Sequence, residues 1–382
     1  MSSLFSHLDR ISHRLFQHSY GWTGVEIGCH CINMAQIRKI DNRWQLAAVW
    51  SVEHPTAFAM ASIPNVSSCD ETFGWLTSDK IFEHGLAPTL EHLENLNALF
   101  HGRNCAATLT DGMIAYRELD LPACDPSDSQ AMVRSEIALE LDCELEDLLT
   151  DCWELPQNRP RLNASSFGAV SLRRSTAMQL AGDLLRAGFD CQTLDAMPCA
   201  MARATSMVVE DIGVATLAID LGYHQATLTL VQDGQPIMSR GLRELGLFHL
   251  LELIAISFEI SLADAQTLLL QSPSNQEGDF NAMNDFSNPL QQRLGGYLQT
   301  MAHEVDKTIQ FSSRTYRTMI PSQILLMGAG VKIPALDHAI EYRVGLPTRT
   351  WAIDVSENLF GNQHVGAFAI AAGLSSLAWE VV

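Results

Sequence analysis

Positive charge is scarce in this chain of 382 residues: 24 Lys and Arg stand against 44 Asp and Glu, for a net charge of −20. That balance repels nucleic-acid phosphates and gives no electrostatic footing on an anionic membrane, so sequence-independent DNA or RNA binding is excluded. Regular cysteine spacing is missing too. The nine cysteines are an odd number, scattered between Cys29 and Cys199, and no secretory signal pattern precedes them. A disulfide scaffold is therefore excluded, and a reducing, cytoplasmic setting is expected. Long uninterrupted apolar runs are also lacking. "LFHLLELIAISFEISL" is broken by Glu252 and Glu259, and "VGAFAIAAGLSSLA" is too short for a hydrocarbon layer of about 30 Å. A soluble chain follows, with any membrane association indirect. What is present is 47% hydrophobic residues, enough for two or three cores, since single cores stop growing near ~250–300 residues.

Periodicity divides the chain. Leu4, Leu8, Ile11 and Leu15 form a helical stripe, an amphipathic helix over residues 1–20. From residue 23 the runs "TGVEIG", "CINMAQI" and "RWQLAAVWSV" read as three strands, with Asp41-Asn42 as a hairpin turn. An irregular Ser/Pro/Asn stretch covers 54–72. Strands are expected at "CAATLT" and "IAYREL", a helix over 127–142, a strand at "FGAVSL", and helix, strand, helix and three strands over 174–241. Residues 271–288 read as a polar loop before a long helix over 289–313. "QILLMGAG" then reads as a buried strand entering a small-residue turn, and "VGAFAIAAGLSSLA" as a closing helix.

Within the first hairpin, Cys29-His30-Cys31 raises the question of a zinc knuckle. Structural zinc takes four ligands, usually from two knuckles, and the sequence has no second one. The stretch also has an echo. "VEIGCHCINMAQI" lies over "IDLGYHQATLTLV": apolar, acid, apolar, Gly, any residue, His, second strand, then another hairpin at Asp233-Gly234. Tyr223-His224-Gln225 replaces Cys29-His30-Cys31, so the turn does not depend on thiols. Glycine admits close backbone approach, turn N–H groups can cradle an anion, and a strand-end acid can hold magnesium. Two such hairpins face to face are able to clamp a polyphosphate. His30 and His224 hold matching places in the two turns, either facing one another across the cleft or pointing to solvent.

The two hairpins resemble the phosphate loops of the actin/sugar-kinase/heat-shock ATPase fold, and "ILLMGAGVKIPAL" resembles its adenosine loop. Beyond residue 21 the chain is similar to the PilM family of type IV pilus assembly proteins. That similarity rests on "IAYRELDLPACDPSDSQAMVRSEIALELDCELEDLLTDCWEL", "LRAGFDCQTLDAMPCAMARA", "LGLFHLLELIAISFEISLADAQTLL", "HEVDKTIQFSSRT" and "VGAFAIAAGLSSL". The resemblance implies an α/β, actin-like (ribonuclease H-like) two-lobed fold with duplicated βββαβ-type halves and an inserted small α/β subdomain. The implied first lobe covers 21–103 and 173–210, the inserted subdomain 104–172, and the second lobe 211–352. Residues 353–382 return as a helix to the first lobe. ATP and Mg²⁺ are the implied cofactors. Glu26, Gly28, Cys29, His30, Asp220, Gly222, His224, Gly328, Ala329 and Gly330 would line their cleft, with Glu26 and Asp220 near the metal.

The sequence departs from the family at several of these places. Glu26 replaces the usual Asp, Asn33 a lysine, and Gln266 and Leu269 the Glu and Lys that often hold the ribose. Charged phosphate contacts contribute about 1.5–3 kcal/mol each, so these changes weaken nucleotide binding. No catalytic residue stands out; a kinase would need a general base, for which Asp195 and Asp111 qualify by position only. The resemblance further implies a scaffold role, binding the cytoplasmic N-terminal segment of a PilN-like membrane protein, alongside other assembly platform proteins and motor ATPases. It places the protein peripherally at the inner membrane. Leu139, Leu141, Leu145 and Leu148, flanked by acids, would anchor a peptide with apolar groups and an Arg or Lys, or else pack inward. An FtsA-like cell-division actin and a metabolite kinase on the same fold are the alternative readings.

Overall fold

In the computed structural model, residues 20–28, 30–53, 98–109, 114–122, 125–155, 164–271, 289–316, 319–356, 359 and 364–380 are described. The expected helix over 1–20 and loop over 271–288 fall almost wholly outside them, and so does Cys29. Strand β1 (Thr23–Ile27) is buried at every position, as a central strand covered on both faces must be. Strands β2 (Cys31–Ile40) and β3 (Arg43–Glu53) follow it. They join through Asp41 and Asn42 at φ 49° and 63°, left-handed values that these two residue types tolerate and a two-residue hairpin needs.

Strands β4 (Asn104–Leu109), β5 (Ala115–Pro122), β6 (Leu148–Glu154), β7 (Ala164–Arg173) and β8 (Asp190–Leu194) come next. Then the hairpin device returns. Strands β9 (Thr216–Leu221), β10 (Ala226–Gln232) and β11 (Gln235–Leu242) turn at Asp233 and Gly234, with φ 51° and 77°. Each copy carries one register shift, between Gln36 and Ile37 and between Leu230 and Val231. The step along the chain between these two bulges is the one that relates Gly28 to Gly222. A bulge bends and twists its strand, so the two copies match in curvature as well as in pattern.

Strands β12 (Gln323–Met327), β13 (Thr348–Thr350) and β14 (Asp354–Val355) complete three sheets. The first lobe has the order β14-β3-β2-β1-β4-β8 and the second β11-β10-β9-β12-β13, while β5-β7-β6 form a separate sheet. Apart from β14, the two large sheets have the same order and the same directions: two antiparallel pairs, then two parallel ones.

The boundary expected at residue 104 moves. β4 pairs in parallel with β1 inside the first-lobe sheet, because its apolar run is buried on both faces, and the separate sheet spans 115–173. Helix α1 (Pro126–Glu140) covers that small sheet, around a core of Leu121, Val133, Ile137, Leu148 and Phe167.

The lobes share a core. Helix α2 (Arg174–Arg186) lies against the first lobe, and α3 (Met197–Ser206) runs between the two sheets. Helices α4 (Leu247–Phe258), α5 (Leu262–Gln271), α6 (Pro289–Thr315) and α7 (Leu336–Val344) pack on the second lobe. Helix α8 (Ala369–Ser375) returns to the first: Ser375 Oγ accepts from the Ile37 amide at 3.1 Å and donates to the Trp22 carbonyl. One buried cluster therefore joins Ala35, Ile37 and Leu46 to Leu217, Ile219 and Leu326, with α3 and α8 between them.

Candidate functional site

The C-terminal ends of β1, β9 and β12 converge, and the sequence-predicted cleft residues sit there. Asp220 is the register partner of Met327 across the parallel β9–β12 pair, which brings the turn after β12 against the second hairpin. The glycines of that turn serve this approach. Gly328 has φ 85°, and a side chain on it would strike the Asp220 carboxylate; a Cβ on Gly330 would lie 2.6 Å from that of Leu221. Gly28 and Gly222 work the same way within their own turns, where a Cβ would meet the carbonyl of Cys31 at 2.9 Å and that of Gln225 at 2.7 Å.

The two acids differ in setting. Glu26 is buried in β1 opposite Asn33 of β2, whose Nδ2 donates to Glu26 Oε2 at 3.2 Å, and Ser51 Oγ in turn donates to Asn33 Oδ1 at 2.7 Å. Burial pushes the Glu26 carboxyl up to about 7, against the smaller opposing pull of the Asn33 hydrogen bond. A lysine at position 33 would oppose the burial with a full charge; Asn33 supplies only a dipole. Asp220, also buried, pairs in register with Thr227, the place equivalent to Asn33.

The hairpin tips meet. His30 of the first lobe stacks on Tyr223 of the second with ring centroids 3.8 Å apart and planes 10° from parallel. Neither expected histidine geometry is found: the first-lobe ring faces a tyrosine, and His224 lies half-buried beside Phe248 at 5.4 Å and edge-on to Tyr223 at 5.0 Å. Burial holds His224 down to about 4, with the nearby His30 adding to the effect, so it is neutral at pH 7. His30 is also held below the usual histidine range by burial and Lys332, with Glu53, 3.6 Å away, pulling the other way.

The N-terminus of α4 faces the same place, and its donors are taken. The Leu247 amide donates to the Gly222 carbonyl at 3.0 Å and the Phe248 amide to the Tyr223 carbonyl at 2.7 Å. A free helix N-terminus is a ready anion site; here the hairpin's own carbonyls occupy it. Between the lobes remains a cavity of about 70 Å³, walled by the His30–Tyr223 pair and by Leu247, Leu251, Leu269 and Lys332. Ligand sites typically need roughly 300–1,000 Å³.

With the hairpin tips together, the cleft leaves no room between them for a nucleoside triphosphate. The tips are in contact, the cavity between them is small, and Leu269 is buried at one of the two positions where the sequence lacks the family's ribose contacts. Asp195 is no free base either, since Arg203 pairs with it and also binds Glu380 at 2.9 Å. Of the residues closing the cleft, Tyr223, Phe248, Glu53 and Lys332 were not singled out from the sequence. The available signal was an aromatic at Tyr223, in a turn otherwise built from small and polar residues.

The expected partner anchors separate. Helix α1 ends at Leu141 with Asp142 left-handed at φ 47°; the Cys143 amide bonds the Ala138 carbonyl and the Asp142 amide that of Leu139, a Schellman ending. This termination leaves Leu139 79% exposed and Leu145 42% exposed, turns Leu141 partly inward, and sends Leu148 into the subdomain core at 1%. Leu148 is therefore a core residue, not an anchor, because β6 presents it to α1.

Two equally ordered sheets with facing hairpins over a shared core define the actin-like (ribonuclease H-like) two-lobed fold. Among solved structures the chain is similar to one in the PilM–PilN type IV pilus biogenesis complex, at 18% identity and a TM-score of 0.69, covering 94% of this chain and 98% of that one. It is also similar to the ethanolamine utilization protein EutJ from Carboxydothermus hydrogenoformans, at 12% identity and a TM-score of 0.51, covering 93% and 89%. At these identities the likeness is one of fold, and it is the PilM-like fold the sequence resemblance implied. No protein-family model matches the chain, and no curated protein does.

Proposed function

We propose that the protein is a non-catalytic, actin-like scaffold of a type IV pilus or related secretion assembly platform. It docks the cytoplasmic N-terminal segment of a PilN-like membrane protein and is thereby held at the inner membrane face, beside other platform proteins and their motor ATPases. The observation that carries this reading is the likeness to a chain of the PilM–PilN complex over nearly the full length of both chains. A metabolite kinase is disfavoured by the 70 Å³ cavity.

The inserted subdomain supplies the docking edge. Exposed Leu139 and Leu145, with half-buried Leu141, lie among exposed Asp142, Glu144, Glu146 and Asp147, while Glu140 is engaged by Arg117 at 2.8 Å. Such an edge suits a short peptide with apolar anchors and a basic residue. The test is calorimetric titration of the full chain with a synthetic peptide of the cytoplasmic N-terminal segment of a PilN-like protein from the same organism. Micromolar binding, weakened at least tenfold by Leu139→Asp, is expected. Absence of binding, or binding indifferent to Leu139→Asp and Leu145→Asp, would overturn the reading.

A further inference from the structure

We propose that this protein bridges its two lobes with its own side chains, the His30–Tyr223 stack serving as an intramolecular clasp where a phosphate-binding cleft would need its two jaws apart. Each half of the clasp is held from behind. In the second lobe, Tyr223 is gripped by the first turn of α4: Phe248 donates its amide to the Tyr223 carbonyl and packs its ring 5.7 Å away. A side chain on Gly246 would strike the His224 backbone, so the helix reaches the turn only because position 246 is glycine. In the first lobe, His30 lies within 3.6 Å of Glu53, at the end of β3 and in register with Cys31. The two rings are thus presented by separate sheets and meet nearly parallel at 3.8 Å. A near-parallel aromatic contact contributes beyond its buried area, and here it spans the gap between the two hairpin tips.

The clasp predicts communication between turns far apart in sequence, and it does not rest on the partner reading. Hydrogen exchange of the full chain, followed by mass spectrometry, reads it. Tyr223→Ala should speed exchange about fivefold in the β1–β2 turn of the opposite lobe. Tyr223→Phe, which keeps the ring, should leave that turn as in the parent. His30→Ala should act reciprocally on the β9–β10 turn, and decides the matter if Tyr223→Ala fails to fold. Mg-ATP at about 1 mM should alter neither turn of the parent protein nor its melting temperature. Changes confined to the substituted residue's own turn would overturn the clasp, and so would protection of both turns by Mg-ATP.

Discussion

Asn33 and Glu26 face one another across β1 and β2, the amide donating to the carboxyl at 3.2 Å inside the first lobe. Together with His224 in the second lobe, this pair gives the fold two opposed pH dependences over the same range. Glu26 binds its proton more tightly folded than unfolded, its pKa rising from 4.5 to about 7, so its contribution to stability is full below pH 4.5 and is lost as pH rises to about 7. His224 binds its proton less tightly folded, its pKa falling from 6.5 to about 4, so stability is full above pH 6.5 and is lost as pH falls toward 4. Melting curves between pH 4 and 8 should separate the two. Glu26→Gln should leave a stability that rises with pH and should exceed the parent at pH 8 by up to about 3 kcal/mol. His224→Asn should leave one that falls with pH.

Glycines 328 and 330 are needed for packing whether or not a nucleotide binds. Gly330→Val pushes a side chain into Leu221 and should cost about 1–3 kcal/mol in denaturant titration without any nucleotide. Equal stability of parent and variant in nucleotide-free buffer would remove the packing account.

Tyr316, at the end of α6, donates its hydroxyl to Glu118 Oε2 of β5 at 2.8 Å and so ties the inserted subdomain to the second lobe. Tyr316→Phe should cost about 1 kcal/mol. Glu118→Gln keeps an acceptor and should cost less; a double-mutant cycle with a coupling near zero would show that the hydrogen bond contributes nothing.

Leu139 and Leu148 look alike in sequence and should behave oppositely. Leu148→Ala opens a cavity in the subdomain core and should cost about 2–5 kcal/mol, whereas Leu139→Ala should stay within about 0.5 kcal/mol. Urea unfolding of the two variants is the check.

Trp351 is fully buried and donates its indole N–H to the Ala204 carbonyl of α3 at 2.7 Å. Trp351→Phe loses this donor and volume together and should lower stability by about 2–4 kcal/mol in the same assay.

The duplication was legible from residue types alone, because acid-apolar-Gly ends, two-residue turns of Asp, Asn and Gly, and alternating strands are local chemistry that repeats wherever it is used. That repeat placed Gly28 and Gly222 in matching turns, while the family resemblance implied that Gly328 joins them at one cleft. What only the tertiary structure decided was which side chains meet across the gap. Tyr223 reaches His30 because α4 grips one turn and β3 backs the other; the Glu26 carboxyl is pushed up because the first lobe buries it, against the smaller pull of Asn33; and Leu148 turns inward because a Schellman ending sets where the chain leaves α1. Such contacts join residues up to some two hundred positions apart, and no period or spacing along the chain encodes them.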